Sequence, residues 1–175
     1  MSLDGYIAGP KGEYDWIVHD PDIDFGAMFA QFDTFLMGRR TFELTLTPGA
    51  PQHPGMTTVV FSRTLEQKDH PRVTIVGDDW QDTITALKQR PGKDIWLFGG
   101  GSLFRTLLDA GFVDGVDVAI VPILLGGGIP FLESPAKRTK LDLIKHTLYE
   151  KSGIISLEYN VARTPARAKR PKKKR

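Results

Sequence analysis

The chain has 175 residues, 41% of them hydrophobic, and no cysteine, which suits one soluble, well-cored domain and excludes disulfides and cysteine metal sites. Its formal charge of +2 divides unevenly: residues 163–175, RTPARAKRPKKKR, hold eight bases and no acid, while the preceding 162 residues carry a net charge of −6. No apolar run reaches membrane-span length, and MSLDGYIAG at the start lacks the basic and apolar regions of a secretory signal, so the expected location is the cytoplasm.

In chain order, DIDFGAMFAQF (22–32) places Ile23, Phe25, Met28, Phe29 and Phe32 near helical spacing. Phe35 to Met37 reads as a strand, and GRRTFELTL after it as a helix stopped by Pro48-Gly49. TTVVFS (57–62) and RVTIV (72–76) are β-branched and read as buried strands. WQDTITALKQR (80–90) puts Trp80, Ile84 and Leu87 on one helical face, closed by Pro91-Gly92. DIWLF (94–98) is a strand, and SLFRTLLDA (102–110) a helix with Ser102 as its expected cap and Gly111 past its end. VDVAIVPIL (116–124) is a strand with a late proline, and LDLIKHTLYE and GIISLEYNVA form a hairpin through Lys151-Ser152-Gly153. Strands alternate with helices through residue 111 and dominate afterwards. This order predicts an α/β fold of three layers: a mostly parallel mixed sheet, helices on both faces, and an antiparallel C-terminal hairpin.

The domain is expected over residues 1–162, with 163–175 as a basic, disordered tail. The tail's charge offers nonspecific contacts with nucleic acid or anionic lipid, but no aromatic interleaves the bases for stacking. RPKKKR also matches a nuclear import pattern that arises easily by chance.

Three strand ends carry groups suited to phosphate. Gly99, Gly100 and Gly101 follow a strand and open a helix, where free N–H groups and the helix dipole favour an anion. A tight strand-to-helix turn explains three glycines equally well. The run is neither the G-x-G-x-x-G fingerprint, since position 104 is Phe104, nor a P-loop. MGRRTFE (37–43) places Arg39, Arg40 and Thr41 after Gly38 at a helix start, which opposes the dipole unless an anion sits there. TTVVFS ends in Ser62-Arg63-Thr64. Such a set suits a ligand with more than one phosphate, and NADPH fits. His19, His53, His70 and His146 are scattered without ligand spacing, so no metal is expected.

The order MSLDGYIA, MGRRTFE, VVFSRT, WLFGGGSL resembles the dihydrofolate reductase superfamily. SLDGYIA with Trp16-Ile17, and VPILLGGGIPFL further on, are similar to the stand-alone relatives of the riboflavin-biosynthesis reductase domain. The resemblance covers residues 1–162. It implies NADPH held by Gly38, Arg39, Arg40 and Thr41, its 2′-phosphate beside Ser62 and Arg63, and its pyrophosphate and nicotinamide side against Gly99, Gly100, Gly101, Ser102 and Leu103. Trp16 would line the cofactor, and Ser2 and Asp4 the substrate mouth, although Trp16 reads equally well as a core aromatic. The implied activity is hydride transfer to a small heterocyclic or ribosylamino substrate, as in 5-amino-6-(5-phosphoribosylamino)uracil reductase. A homodimer is implied as well, with VPILLGGGIPFL as its candidate surface and Gly126 to Gly128 as a turn.

The substrate half departs from the pattern. The riboflavin enzymes have a glutamate just before the glycine turn, where this chain has Phe98, and their added basic residues are not evident in HDPDIDFGAMF. Asp22 or Asp24 falls near the carboxylate that dihydrofolate reductases use on the pterin, and both also read as helix caps. Relatives place a strand before the SLDG loop; this chain begins at that loop, so an unfilled or rearranged sheet position is expected. Three other readings remain: a dihydrofolate or pteridine reductase, a protein that binds NADPH without turnover, and a tail-driven nucleic-acid binder.

Overall fold

The computed structural model describes residues 1–50 and 55–162; His53 and the basic segment 163–175 lie outside them. The elements run β1 (Tyr6–Ala8), α1 (Phe25–Phe29), β2 (Phe32–Gly38), α2 (Arg39–Thr45), β3 (Thr57–Phe61), β4 (Thr74–Val76), α3 (Trp80–Gln89), β5 (Asp94–Gly99), α4 (Gly101–Asp109), β6 (Gly115–Ile120), β7 (Ile129–Pro130), β8 (Leu141–Tyr149) and β9 (Ile154–Val161). Among the described residues no helix is long and apolar enough to cross a membrane.

A four-stranded parallel sheet of order β4-β3-β2-β5 organises the first part of the chain. Both of its faces are buried, which is why Phe35–Met37 of β2 and Val59–Phe61 of β3 are unbroken apolar runs. Side chains alternate between the faces. Leu36, Val59 and Val76 pack with Ile84 of α3 and Leu107 of α4 on one face, joined by Trp80, Leu87 and Phe112. Phe35, Met37 and Val60 pack with Phe42 of α2 on the other, joined by Phe29 and Trp96. This is the expected three-layer α/β arrangement. Phe35 is 1% exposed, and burying such a side chain contributes roughly 1.5–3 kcal/mol.

The helix expected over 22–32 is much shorter, at Phe25–Phe29. Phe32 instead begins β2 by pairing with Asp94, and its ring meets Trp96. Pairing and aromatic packing outweigh the propensity of a helix too short to stand alone. β1 and β7 carry too few residues for any periodicity to show, and they pair with each other. The cap of α4 is Gly100, not Ser102, whose carbonyl accepts from the Thr106 hydroxyl.

A second, antiparallel sheet runs β6-β9-β8 and contains the expected hairpin. Among the described strands β4 and β5 are the edges of the parallel sheet, and β6 and β8 those of the antiparallel one. Residues 1–3 lie beside the end of β6: Ser2 bridges Val121 in parallel, and the Val121 and Leu3 N–H groups bond to Met1 and Ile123 carbonyls at 2.8 and 2.9 Å.

The two ends of the parallel sheet differ in kind. At the start of β2, Asp33 accepts from the Thr34 hydroxyl (2.7 Å), the Lys93 N–H (2.9 Å) and Arg90 (3.2 Å), and Arg90 also reaches Thr34 at 2.9 Å. These contacts lock the strand starts together. The opposite edge, where β2, β3, β4 and β5 all end, carries the glycines and arginines.

Candidate functional site

The glycine turn and the MGRRT turn meet at that edge. A Cβ built on Gly38 would stand 3.9 Å from Gly99 O and Gly100 N, and Cβ atoms on Gly99 and Gly100 would each stand 3.6 Å from Thr41 Oγ1. The three glycines answer to different causes. Gly99 has φ +141, a conformation L side chains rarely adopt. Gly101 faces the Pro130 carbonyl, which an added Cβ would approach at 2.4 Å. Gly100 has neither constraint: its φ is −98 and its added Cβ meets only ordinary contact. Gly38, with φ −74, is equally unconstrained. The turn therefore needs glycine at 99 and 101, while the absence of side chains at 38 and 100 leaves open backbone between two facing turns.

No side chain caps α4, and its first intrahelical N–H bond runs from Phe104 to Gly100 O at 3.0 Å. The N–H groups before it have no intrahelical partner. Gly38 likewise caps α2 without a side-chain bond. Arg39 pairs with Glu43 at 3.1 Å with both side chains 45% exposed, a contact worth at most about 0.5 kcal/mol and easily exchanged for an anion. Arg40 and Arg63 are exposed. The Ser62 hydroxyl accepts from the Thr64 and Leu65 N–H groups at 3.1 and 3.0 Å, so it shapes the turn that carries Arg63.

Other expected site residues have structural work. Asp24 caps α1 through the Ala27 N–H at 2.8 Å. Asp22 is no cap; its carboxylate is held by Lys151 at 2.7 Å. Ser2 is fully buried and accepts from the Tyr6 N–H at 2.9 Å. Asp4 accepts from Leu125 and Gly126 N–H groups at 3.1 and 2.7 Å. The Ser2 hydroxyl, then these N–H groups, hold its carboxyl below the usual range. Ser2 and Asp4 thus fasten the first loop to the 124–126 turn. Trp16 lies outside both core clusters, and its indole N–H reaches Glu13 O at 3.3 Å. Ser102 and Leu103 occupy the first turn of α4, and Leu103 leans on the core. Phe98 sits against the rings of Phe35 and Trp96. Sequence reasoning missed Asp20, fully buried beside Pro21; the only signal was an acid before a proline in a long loop.

The family model described as RibD C-terminal domain matches residues 1–154. The chain is 34% identical over 173 residues to the uncharacterized protein YyaP of Bacillus subtilis (strain 168), with 91% of this chain and 90% of that one covered. A crystal structure from Shewanella sp. PV-4, of a protein provisionally assigned to riboflavin biosynthesis, superposes with a TM-score of 0.80 at 26% identity, covering 93% of this chain and 96% of that one. Dihydrofolate reductase from Enterococcus faecalis, complexed with NADP(H) and RAB-propyl, shares the fold with a TM-score of 0.65 at 18% identity, covering 92% of each chain.

Proposed function

Because the chain belongs to the RibD C-terminal domain family, we propose that it is an NADPH-dependent reductase acting on a small heterocyclic or ribosylamino substrate of the riboflavin-pathway type. The observation that carries this reading is the pair Gly38 and Gly100, bare backbone on two facing turns where the protein's own packing does not require glycine. Uncapped helix starts and the exposed Arg39, Arg40 and Arg63 at the same sheet edge suit the anionic parts of NADPH. In this reading Gly38 to Thr41 and Gly99 to Leu103 hold the pyrophosphate, and Ser62 and Arg63 the 2′-phosphate. When bound, the nicotinamide supplies a hydride. The chain's own task is to orient donor and acceptor and to exclude water.

The test is calorimetric titration of NADPH and NADH against wild type, Arg39→Ala and Gly100→Ala. Wild type is expected to prefer NADPH. Arg39→Ala is expected to bind roughly tenfold more weakly, about 1.4 kcal/mol. Gly100→Ala is expected to keep a thermal stability within about 0.5 kcal/mol of wild type and to lose at least as much affinity. Folded protein that binds neither cofactor would overturn the reading.

One observation favours a second reading, NADPH binding without turnover: Asp22 and Asp24 are engaged elsewhere and Phe98 stands where the riboflavin enzymes have an acid. NADPH oxidation with ribosylaminopyrimidines or pterins would decide between them. We also infer a homodimer, because Leu124 is 70% exposed and Leu143, Ile144 and Leu148 of β8 are each more than half exposed, apolar side chains of the kind a partner subunit covers. Sedimentation equilibrium is expected to give twice the 19.5 kDa chain mass; a monomer at all concentrations would refute it.

A further inference from the structure

Residues 9–24 join β1 to α1 with no helix or strand of their own, and loops of this length need specific fastening. Tyr14, Ile17 and Val18 on this loop are exposed, so little hydrophobic burial holds it. Its first part closes on itself: the Gly9 N–H bonds to Glu13 O at 2.8 Å, and the Lys11 N–H to Glu13 Oε2 at 2.7 Å. Its second part turns on Asp20. The Asp20 side chain is fully buried. Its Oδ1 accepts from the Asp22 N–H at 2.9 Å, and its Oδ2 from the Ser152 N–H at 3.1 Å. Ser152 lies in the turn between β8 and β9, far away in sequence. One residue earlier, Lys151 holds Asp22 at 2.7 Å. Two successive residues of one turn thus grip two aspartates of the loop. The Lys151–Asp22 pair is more than half exposed on both sides and is a weak fastener. The buried carboxylate, with charge-assisted bonds on both oxygens, is the strong one.

We propose that Asp20 is a latch: its buried carboxylate ties the 9–24 loop, Trp16 included, to the β8–β9 turn, and its loss frees both segments while the parallel sheet stays folded. This inference stands apart from the reductase reading. The charged groups facing Asp20 are Asp22 on its own loop and Lys151 on the turn. The Ser152 hydroxyl, the Asp22 N–H and the Lys151 charge hold its carboxyl below the usual range, burial acting in opposition. A lowered carboxyl favours the fold above the ordinary aspartate range, so the latch is closed at neutral pH and opens as pH falls through the lowered value.

The test is hydrogen exchange resolved by peptide at neutral pH, on the full chain without added ligand. In Asp20→Asn, amides of residues 9–24 and 150–153 are expected to exchange about tenfold faster, with those of β2 and β3 unchanged. Ser152→Ala, which keeps the N–H donor and removes the hydroxyl, is expected to accelerate the same two segments by a smaller factor, and it serves if Asp20→Asn does not fold. Unchanged exchange in both segments would overturn the latch. So would equal acceleration across β2 and β3, since Asp20 would then support the whole domain.

Discussion

Replacing Gly128 with alanine is expected to lower the thermal unfolding midpoint by roughly 4–24 °C. Two costs add. Gly128 has φ +144, where a side chain is strained whatever the space, a penalty of roughly 1–3 kcal/mol. The new Cβ would also lie 2.2 Å from Ala8 O and 3.1 Å from Gly9 Cα. Ala8 is paired with Ile129 in the β1–β7 ladder and cannot step aside without breaking it; such overpacking costs about 1–3 kcal/mol more. At roughly 2–4 °C per kcal/mol for a chain of this size, the sum exceeds what ordinary surface changes produce. Gly127→Ala is the control, since Gly127 has no positive φ and an added Cβ meets nothing within 4 Å. Equal melting of both variants would show that the β1–β7 contact does not constrain this turn.

Gly101→Ala is the second large effect, and here two terms oppose. Alanine gains about 1 kcal/mol of helix propensity over glycine. Against it, the Cβ would approach Pro130 O at 2.4 Å and Phe131 O at 3.1 Å. The Phe131 N–H is bonded to Gly5 O at 2.8 Å, so that carbonyl run is held from its far side. The clash is expected to win, with a net loss of ~2 kcal/mol and a midpoint lower by about 4–8 °C in a thermal melt. A midpoint above wild type would mean that propensity dominates and that the strand β7 yields. The contrast with Gly100→Ala is diagnostic: position 101 is packed against backbone carbonyls, whereas an added Cβ at position 100 meets only ordinary contact.

The sequence carried most of the parallel sheet. FLM and VVF are continuous apolar runs because both sheet faces are covered, and the helix after β5 showed its period in Leu103 and Leu107. It carried the site edge as well, because MGRRT, SRT and GGG each follow a strand, and parallel strands end on one side. It could not resolve the individual glycines. In a sequence, Gly99, Gly100 and Gly101 are equivalent; in space one has a positive φ, one faces the Pro130 carbonyl, and one meets only ordinary contact with Thr41.

Composition and periodicity by themselves determined the layer order and the sheet edge that carries the glycines and arginines, since these follow from local burial patterns. Only the tertiary structure decided what each polar side chain does. Asp4 reaches Gly126, Asp20 reaches Ser152 and Asp22 reaches Lys151, contacts between segments far apart in the chain that no local spacing records. The short strands β1 and β7 belong to the same class: too short to favour extension alone, they form because each supplies the other's backbone partners.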